Sequence, residues 1–424
     1  MHKHLHEAAA FLKQQGRTIT IFSCMLSGIA ALHAESLRFE AALPLALKQA
    51  QLSELEDTAG QAARARIQAA KALPNPSAIA EHEYLKGRPG DSEESLIGVS
   101  TPLDFLWKRG ARIDAAEQFA GIAPQRIAEE RRQIRYRLAR LYLQTSVVSE
   151  QLAALEGAEA RLKEAYRLSA ALVENGEIPP AQRRRIALAI EQAVTARATL
   201  EAEALSHQSA FTALTGLESA RPGPLKFDRP SYESAAAAIA EAQANRPDFK
   251  ALEAISQWRR SEIERSRAEA LPEASLDLAY KRDNDSREGG FIGISVEIPI
   301  FGKNRAHQHL ARSEAFEAEI KLSQLRRQIE GEVAAAFYRY EKLSEKAAHQ
   351  TQTDDHETYL ASELSAFRNG EASVVEYLDA IELYRELRFT EIEHARLREE
   401  AALNLIFQTG SEYASSKQIS TTLK

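Results

Sequence analysis

The side chains able to do chemistry fall into a few sets, and most fail on spacing. His349 and His356 stand two turns apart on one helix with no third ligand nearby, and His2, His4 and His6 crowd the first residues. The first pair is short of the three or four ligands of a metal site, and the second set looks like a metal cluster but falls in the leader segment read below, with which it would leave. Cys24 is the one cysteine. The sequence has no His-Glu-x-x-His, no Gly-rich phosphate loop after a strand and no Gly-x-Ser-x-Gly, so hydrolytic and nucleotide chemistry lack their usual carriers. No catalytic residue, metal or cofactor is therefore expected. What remains is a scatter of carboxylates on alternating segments, Glu81, Glu83, Asp277 and Glu297. These suit a cation-friendly passage or simply a wet interior.

Composition narrows the class. The 424 residues carry a net charge of -7, with 44% apolar, 27% charged and 7% aromatic residues, and mean hydropathy is -0.38. A polytopic helical membrane protein and wholesale disorder are both excluded. The acidic balance argues against nucleic acid as a partner, since such binding rests on a basic surface. The first 34 residues read as a secretory leader. Lys3, Lys13 and Arg17 precede an apolar run from Ile19 to Leu32, with small residues at Ala30, Ala31 and Ala34. The run is short for a membrane span. An uncleaved anchor and a lipid attachment at Cys24 are the alternatives, the latter disfavoured by Phe22 where a small residue belongs.

The decisive pattern is an internal repeat. Ala72-Leu73-Pro74 returns as Ala270-Leu271-Pro272, Ile97-Gly98-Val99-Ser100 as Ile292-Gly293-Ile294-Ser295, Asn175-Gly176-Glu177 as Asn369-Gly370-Glu371, and Thr215-Gly216 as Thr409-Gly410. Two repeats are expected, 35–220 and 229–412, joined by a linker at 221–228 and followed by a tail at 413–424. Arg221-Pro222-Gly223-Pro224 at the join cannot continue a helix.

Each repeat holds a helical lead, two alternating runs and a long helical hairpin. The strands are expected at about 76–86 and 94–104, then at about 273–283 and 290–300. Leu276, Leu278 and Tyr280 alternate with polar residues, as do Ile292, Ile294, Val296 and Ile298; a period of two with one apolar and one polar face means that the two faces meet different media. At about ten residues, each strand is long enough to cross a bilayer when tilted. The hairpins are expected at about 106–216 and 305–410. From Ala306 to Asn369 there is no proline and only Gly331, so a continuous helix would reach about 100 Å. Asn-Gly-Glu breaks both helices, and returning helices of about 35 residues follow.

Such a chain is incomplete alone. Four membrane-length strands leave two open sheet edges in lipid, where each unpaired backbone group costs several kcal/mol. A ring of identical copies closes the sheet and gives the slender helices a wall. Three copies would supply twelve strands, although the residues themselves do not fix that number. A structural coiled-coil protein at the periplasm or surface needs no hairpin strands, and a passive porin would be nearly all strand.

The order and duplication of these segments resemble the TolC-type outer-membrane efflux ducts. Ala72-Leu73-Pro74-Asn75-Pro76, Lys108-Arg109-Gly110-Ala111-Arg112, Asn245-Arg246-Pro247-Asp248 and Ile298-Pro299-Ile300-Phe301-Gly302-Lys303-Asn304-Arg305 are most similar to the cobalt-zinc-cadmium branch. The resemblance implies a mainly α fold with a transmembrane β portion. Three chains would form a 12-stranded β-barrel in the outer membrane, continued by an α-helical barrel in the periplasm. It also implies an exit duct of a tripartite efflux system, partnered by a periplasmic adaptor (membrane fusion) protein and an inner-membrane pump of the resistance-nodulation-division type. Divalent heavy-metal cations would be the cargo, with drug efflux or type I secretion as alternatives.

By the same resemblance the two Asn-Gly-Glu turns are adaptor-docking tips. Val173, Asn175, Gly176, Glu177 and Ile178 belong to the first, and Phe367, Asn369, Gly370, Glu371, Ala372 and Ser373 to the second; a purely structural turn is the competing reading. Glu376 and Asp379 match positions that line the constricted end, where copies would form a carboxylate ring. The first repeat departs from this pattern. It continues as Pro179-Pro180-Ala181-Gln182-Arg183-Arg184-Arg185, so a mixed gate is expected to pair the run Arg183 to Arg185, with Arg183 as its first candidate, against Glu376 or Asp379.

Overall fold

The computed structural model describes residues 36–411 except 89, 226, 299–300, 302 and 349–354. The leader with Cys24 and the first histidines, the tail 413–424 and His349 lie outside the described residues, as does the side chain of His356.

The first repeat begins with β1 (Ser36–Leu37), α1 (Phe39–Gln49) and α2 (Leu52–Lys71). It continues through β2 (Ser77–Leu85), β3 (Ser92–Pro102), α3 (Phe105–Ala120), the 53-residue α4 (Ile122–Glu174) and α5 (Pro180–Thr215). The second follows β4 (Arg221–Pro222) with α6 (Ala235–Asn245), α7 (Pro247–Glu269), β5 (Glu273–Asp283) and β6 (Glu288–Glu297). Its hairpin is α8 (Lys303–Ala348), α9 (Asp355–Arg368) and α10 (Val374–Thr409). At 1.5 Å per residue α4 is about 80 Å long. Both returning helices, α5 and α10, are 36 residues long.

Two local breaks differ from the sequence expectation. The first lead is split at Gln51, which takes a left-handed backbone with φ of 53°; no Gly or Pro marks that break. The linker forms a two-residue parallel ladder, in which Ser36 and Leu37 pair with Arg221 and Pro222. Tyr142 Oη and the Gly223 N–H both donate to the Leu37 carbonyl, at 2.9 and 3.0 Å, so β1 is pinned to the junction of the repeats.

Three apolar clusters hold the helices. One joins α1, α2 and α4 around Tyr142, with Phe211 of α5 and Leu403 of α10; a second joins α6, α7 and α8 around Phe249 and Ile329. The third lies near the tips and joins α4, α5, α9 and α10. The strands form one antiparallel sheet in the order β2-β3-β5-β6, with no core of their own. Ile97, Ile292 and Ile294 are 65%, 76% and 71% exposed, which is large apolar area left in water.

The base of the sheet is tied to the helices by ion pairs around one buried lysine. Lys108 of α3 has no exposed side-chain surface and lies 3.0 Å from Glu273 of β5 and 3.5 Å from Asp104. Arg112 donates two bonds to Glu269 at the end of α7, at 2.6 and 3.0 Å, and holds that carboxyl below its usual range. Lys108 is the fully buried charge of the set, so removing both of its carboxylate partners would strand it, at a cost of about 3–5 kcal/mol.

Candidate functional site

Register decides which side chains share a face of the sheet. Ala80 pairs with Ile97, Ile97 with Tyr280, Val99 with Leu278, and Leu278 with Ile292. This face also carries Ala78, Leu276, Ile294 and Val296. Its ionisable strand residues, His82, Glu93, Arg282 and Glu288, all lie toward the turn end. The opposite face is acidic. Glu81, Glu83, Glu94, Glu273, Asp277, Asp283 and Glu297 share it, and Lys281 is its single strand base, paired with Glu94. The four acids singled out from sequence do share a face. Glu94, Glu273 and Asp283 join them, and strand alternation extended by a few residues would have found them.

The helical tips lie at the far ends of the long hairpins. Both turns are built alike. Gly176 and Gly370 have φ of 74° and 76°, the left-handed backbone that favours glycine. The Glu177 N–H donates to the Leu172 carbonyl at 2.8 Å and the Glu371 N–H to the Ala366 carbonyl at 2.8 Å, which closes each helix with the same six-residue cap. Asn175, Gly176, Glu177, Asn369, Gly370, Glu371 and Ser373 are exposed, and Val173, Ile178 and Ala372 are half-buried. Phe367 is not on the surface. It is 2% exposed and stacks on Tyr377 with ring centres 5.2 Å apart, so it supports the turn from inside.

The starts of the returning helices differ. Pro180 opens α5 after Pro179, with no side-chain cap. Ser373 opens α10 as a capping box, its hydroxyl accepting from the Glu376 N–H at 3.3 Å while Glu376 accepts from the Ser373 N–H at 2.7 Å. These bonds hold the Glu376 carboxyl below its usual range. The Ser-x-x-Glu spacing is the sequence signal for this cap. Asp379 is exposed and lines a groove between α5 and α10 with Arg185 and Arg385.

Within one chain Arg183 pairs with neither Glu376 nor Asp379. Its guanidinium lies over the Tyr166 ring at 4.5 Å, and its Nε is buried without a partner. The second hairpin is instead clamped to the first by Arg368 on Glu164 and by Arg161 over the Tyr384 ring at 5.1 Å. Such cross-hairpin pairs leave no signal in a linear sequence.

Among the described residues no group of three metal-ligating side chains converges, and no helix is long and apolar enough to cross a membrane. A two-faced sheet of membrane-length strands mounted on long helical hairpins is the layout expected above for one segment of a duct wall. Residues 238–411 match the family model for outer membrane efflux proteins. The chain is similar to the cobalt-zinc-cadmium resistance protein CzcC of Cupriavidus metallidurans, with 24% identity over 67% of this chain and 68% of that one. It is also similar to the nickel-cobalt-cadmium resistance protein NccC of Alcaligenes xylosoxydans xylosoxydans, with 27% identity over 63% of this chain and 62% of that one. The fold matches a crystal structure of CusC with a TM-score of 0.71, at 18% identity, over 88% of this chain and 92% of that one. The likeness to CusC covers both repeats, so the fold is that of a solved transmembrane channel.

Proposed function

We propose that three copies form the exit duct of a tripartite efflux system for divalent heavy-metal cations. A periplasmic adaptor and an inner-membrane pump of the resistance-nodulation-division type would load it. The observation that carries the cargo is the polar face of the sheet, with seven carboxylates against one lysine. In a closed barrel that face lines the lumen three times over, and a passage lined by one sign of charge concentrates the opposite ion. The names of the two curated relatives point to the same cargo.

The tips serve docking and gating in this reading. The exposed turn residues of both repeats meet the adaptor, and Glu376 with Asp379 form an acidic ring at the narrow end. Arg183, held on Tyr166 inside its own chain, is a poor candidate for the mixed gate; Arg185, which shares the Asp379 groove, is the better one. Deleting the gene tests the cargo. Tolerance to cobalt, zinc, cadmium and nickel should fall while tolerance to lipophilic drugs stays unchanged, and the reverse pattern would reassign the duct to drug efflux.

A further inference from the structure

The sheet has two free edges, β2 and β6, and the internal repeat says how they meet. The two hairpins are equivalent residue by residue. Ala72 corresponds to Ala270, an offset of 198, and Ile97 to Ile292, an offset of 195. Moving the first hairpin by those offsets reproduces the second ladder: Ser77 opposite Ser100 becomes Ser275 opposite Ser295, and Ala80 opposite Ile97 becomes Leu278 opposite Ile292. Thus β2 is the counterpart of β5, and β6 the counterpart of β3.

The seam between the repeats, β3 against β5, is therefore a template for the seam between copies. We propose that β6 of one chain pairs antiparallel with β2 of the next in the register obtained by moving the β3–β5 ladder by the same offsets. This rests on the closed-ring reading above and fixes its geometry. Val99 opposite Leu278 becomes Ile294 opposite Ala80 of the next copy, and Ser100 opposite Asp277 becomes Ser295 opposite Ile79. All nine residues of β2 then acquire a partner, from Ser77 against Glu297 to Leu85 against Gly289.

Two features agree with this register, and a third is consistent with the repeat alignment behind it. The apolar faces meet, since Ile294 and Val296 fall beside Ala80 and Ala78, with Ile292 beside His82 toward the turn end; a one-residue slip would reverse every side chain. Gly98 has no room for a Cβ, which would lie 2.3 Å from the Leu278 carbonyl oxygen and 2.4 Å from the Ala279 Cβ. Its counterpart at the new seam is again a glycine, Gly293. Beyond the paired residues, the Asn284 N–H donates to the Glu93 carbonyl, and the same shift sets Glu288 across from Lys86. Opposite charges thus meet at the turn end.

Paired cysteines test the register in full-length protein, because the sequence has one native cysteine and it lies in the expected leader. Ser295→Cys with Ile79→Cys probes one face and Ile294→Cys with Ala80→Cys the other. One of the two is a non-hydrogen-bonded pair, where Cβ atoms approach closely enough for a disulfide. On oxidation in outer membranes, one of these pairs should link chains covalently. Its yield should be at least about fivefold above that of Ser295→Cys with Glu83→Cys or Ile294→Cys with Tyr84→Cys, whose Cβ atoms would lie beyond bonding reach. Higher yield from the shifted pairs would overturn the register. Absence of any link in a complex that sediments as a trimer would overturn edge pairing while leaving the trimer standing. A native chain that sediments as a monomer would remove the ring, and the seam with it.

Discussion

The two helical tips start from the same Asn-Gly-Glu turn and the same backbone cap, yet the residues just beyond them are opposite in kind. The first tip runs into two prolines and three arginines, and the second into a serine cap, a glutamate and an aspartate. The prolines preset the backbone of α5 without any side-chain bond. The second tip obtains its helix start from a reciprocal pair of hydrogen bonds and is held from behind by the Phe367–Tyr377 stack. A duplicated turn has therefore kept its conformation while its two copies diverged in charge and in how they are fastened. The first is rigid by covalent geometry and basic. The second is rigid by packing and acidic, and depends on contacts that can be undone.

Breaking the packing should have the largest effect. Tyr377→Ala removes a buried ring and should destabilise the second hairpin by about 3–5 kcal/mol. Hydrogen exchange should quicken across 366–384 while 172–186 is nearly unchanged, and equal loosening of both tips would contradict the distinction. Ser373→Ala should cost about 1 kcal/mol in the first turn of α10. Pro179→Ala at the first tip should cost less, since no side-chain bond is lost there, with both read by amide protection.

Charge sharpens the contrast further. Exchanging Glu376 and Asp379 for Gln and Asn should lower cation selectivity of the reconstituted channel by about two- to fivefold, a modest effect in keeping with exposed, screened charges. Arg183→Gln should leave selectivity unchanged and weaken only the contact with Tyr166, by about 0.5–1 kcal/mol. An equal selectivity change from Arg183 would restore it as a gate residue. The smallest effect concerns pH. The folded-state pKa of Glu376 is depressed by its bonds to Ser373, so its contribution is fully present above the ordinary glutamate value, about 4.3, and is lost as pH falls through the lower folded value. Protection of the α10 start should decline in that acid window, and the proline-set start of α5 should show no matching loss.

Much of this was legible in the sequence because it rests on local chemistry. Glycine in the turns, proline after them and a period of two in the strands leave marks in neighbouring residues. The break at Gln51 carried no such mark, and neither did the Lys108, Glu273 and Asp104 cluster, whose members are brought together from both repeats. Arg183 shows the limit most clearly. Its charge and position suggested a partner among the acids of the second tip, whereas the fold gives it an aromatic ring one helix away. The acidic face of the sheet was visible only in part, because register and not order in the chain places Glu94 and Asp283 beside Glu83.

Both tips, and the seam between copies, presuppose that a single chain is one segment of a closed wall. The mass of the native protein extracted from outer membranes in mild detergent, measured by sedimentation with the detergent contribution subtracted, bears on this most directly. Three chains per particle is the expected result. A particle holding one chain would leave β2 and β6 unpaired in lipid and would contradict the account.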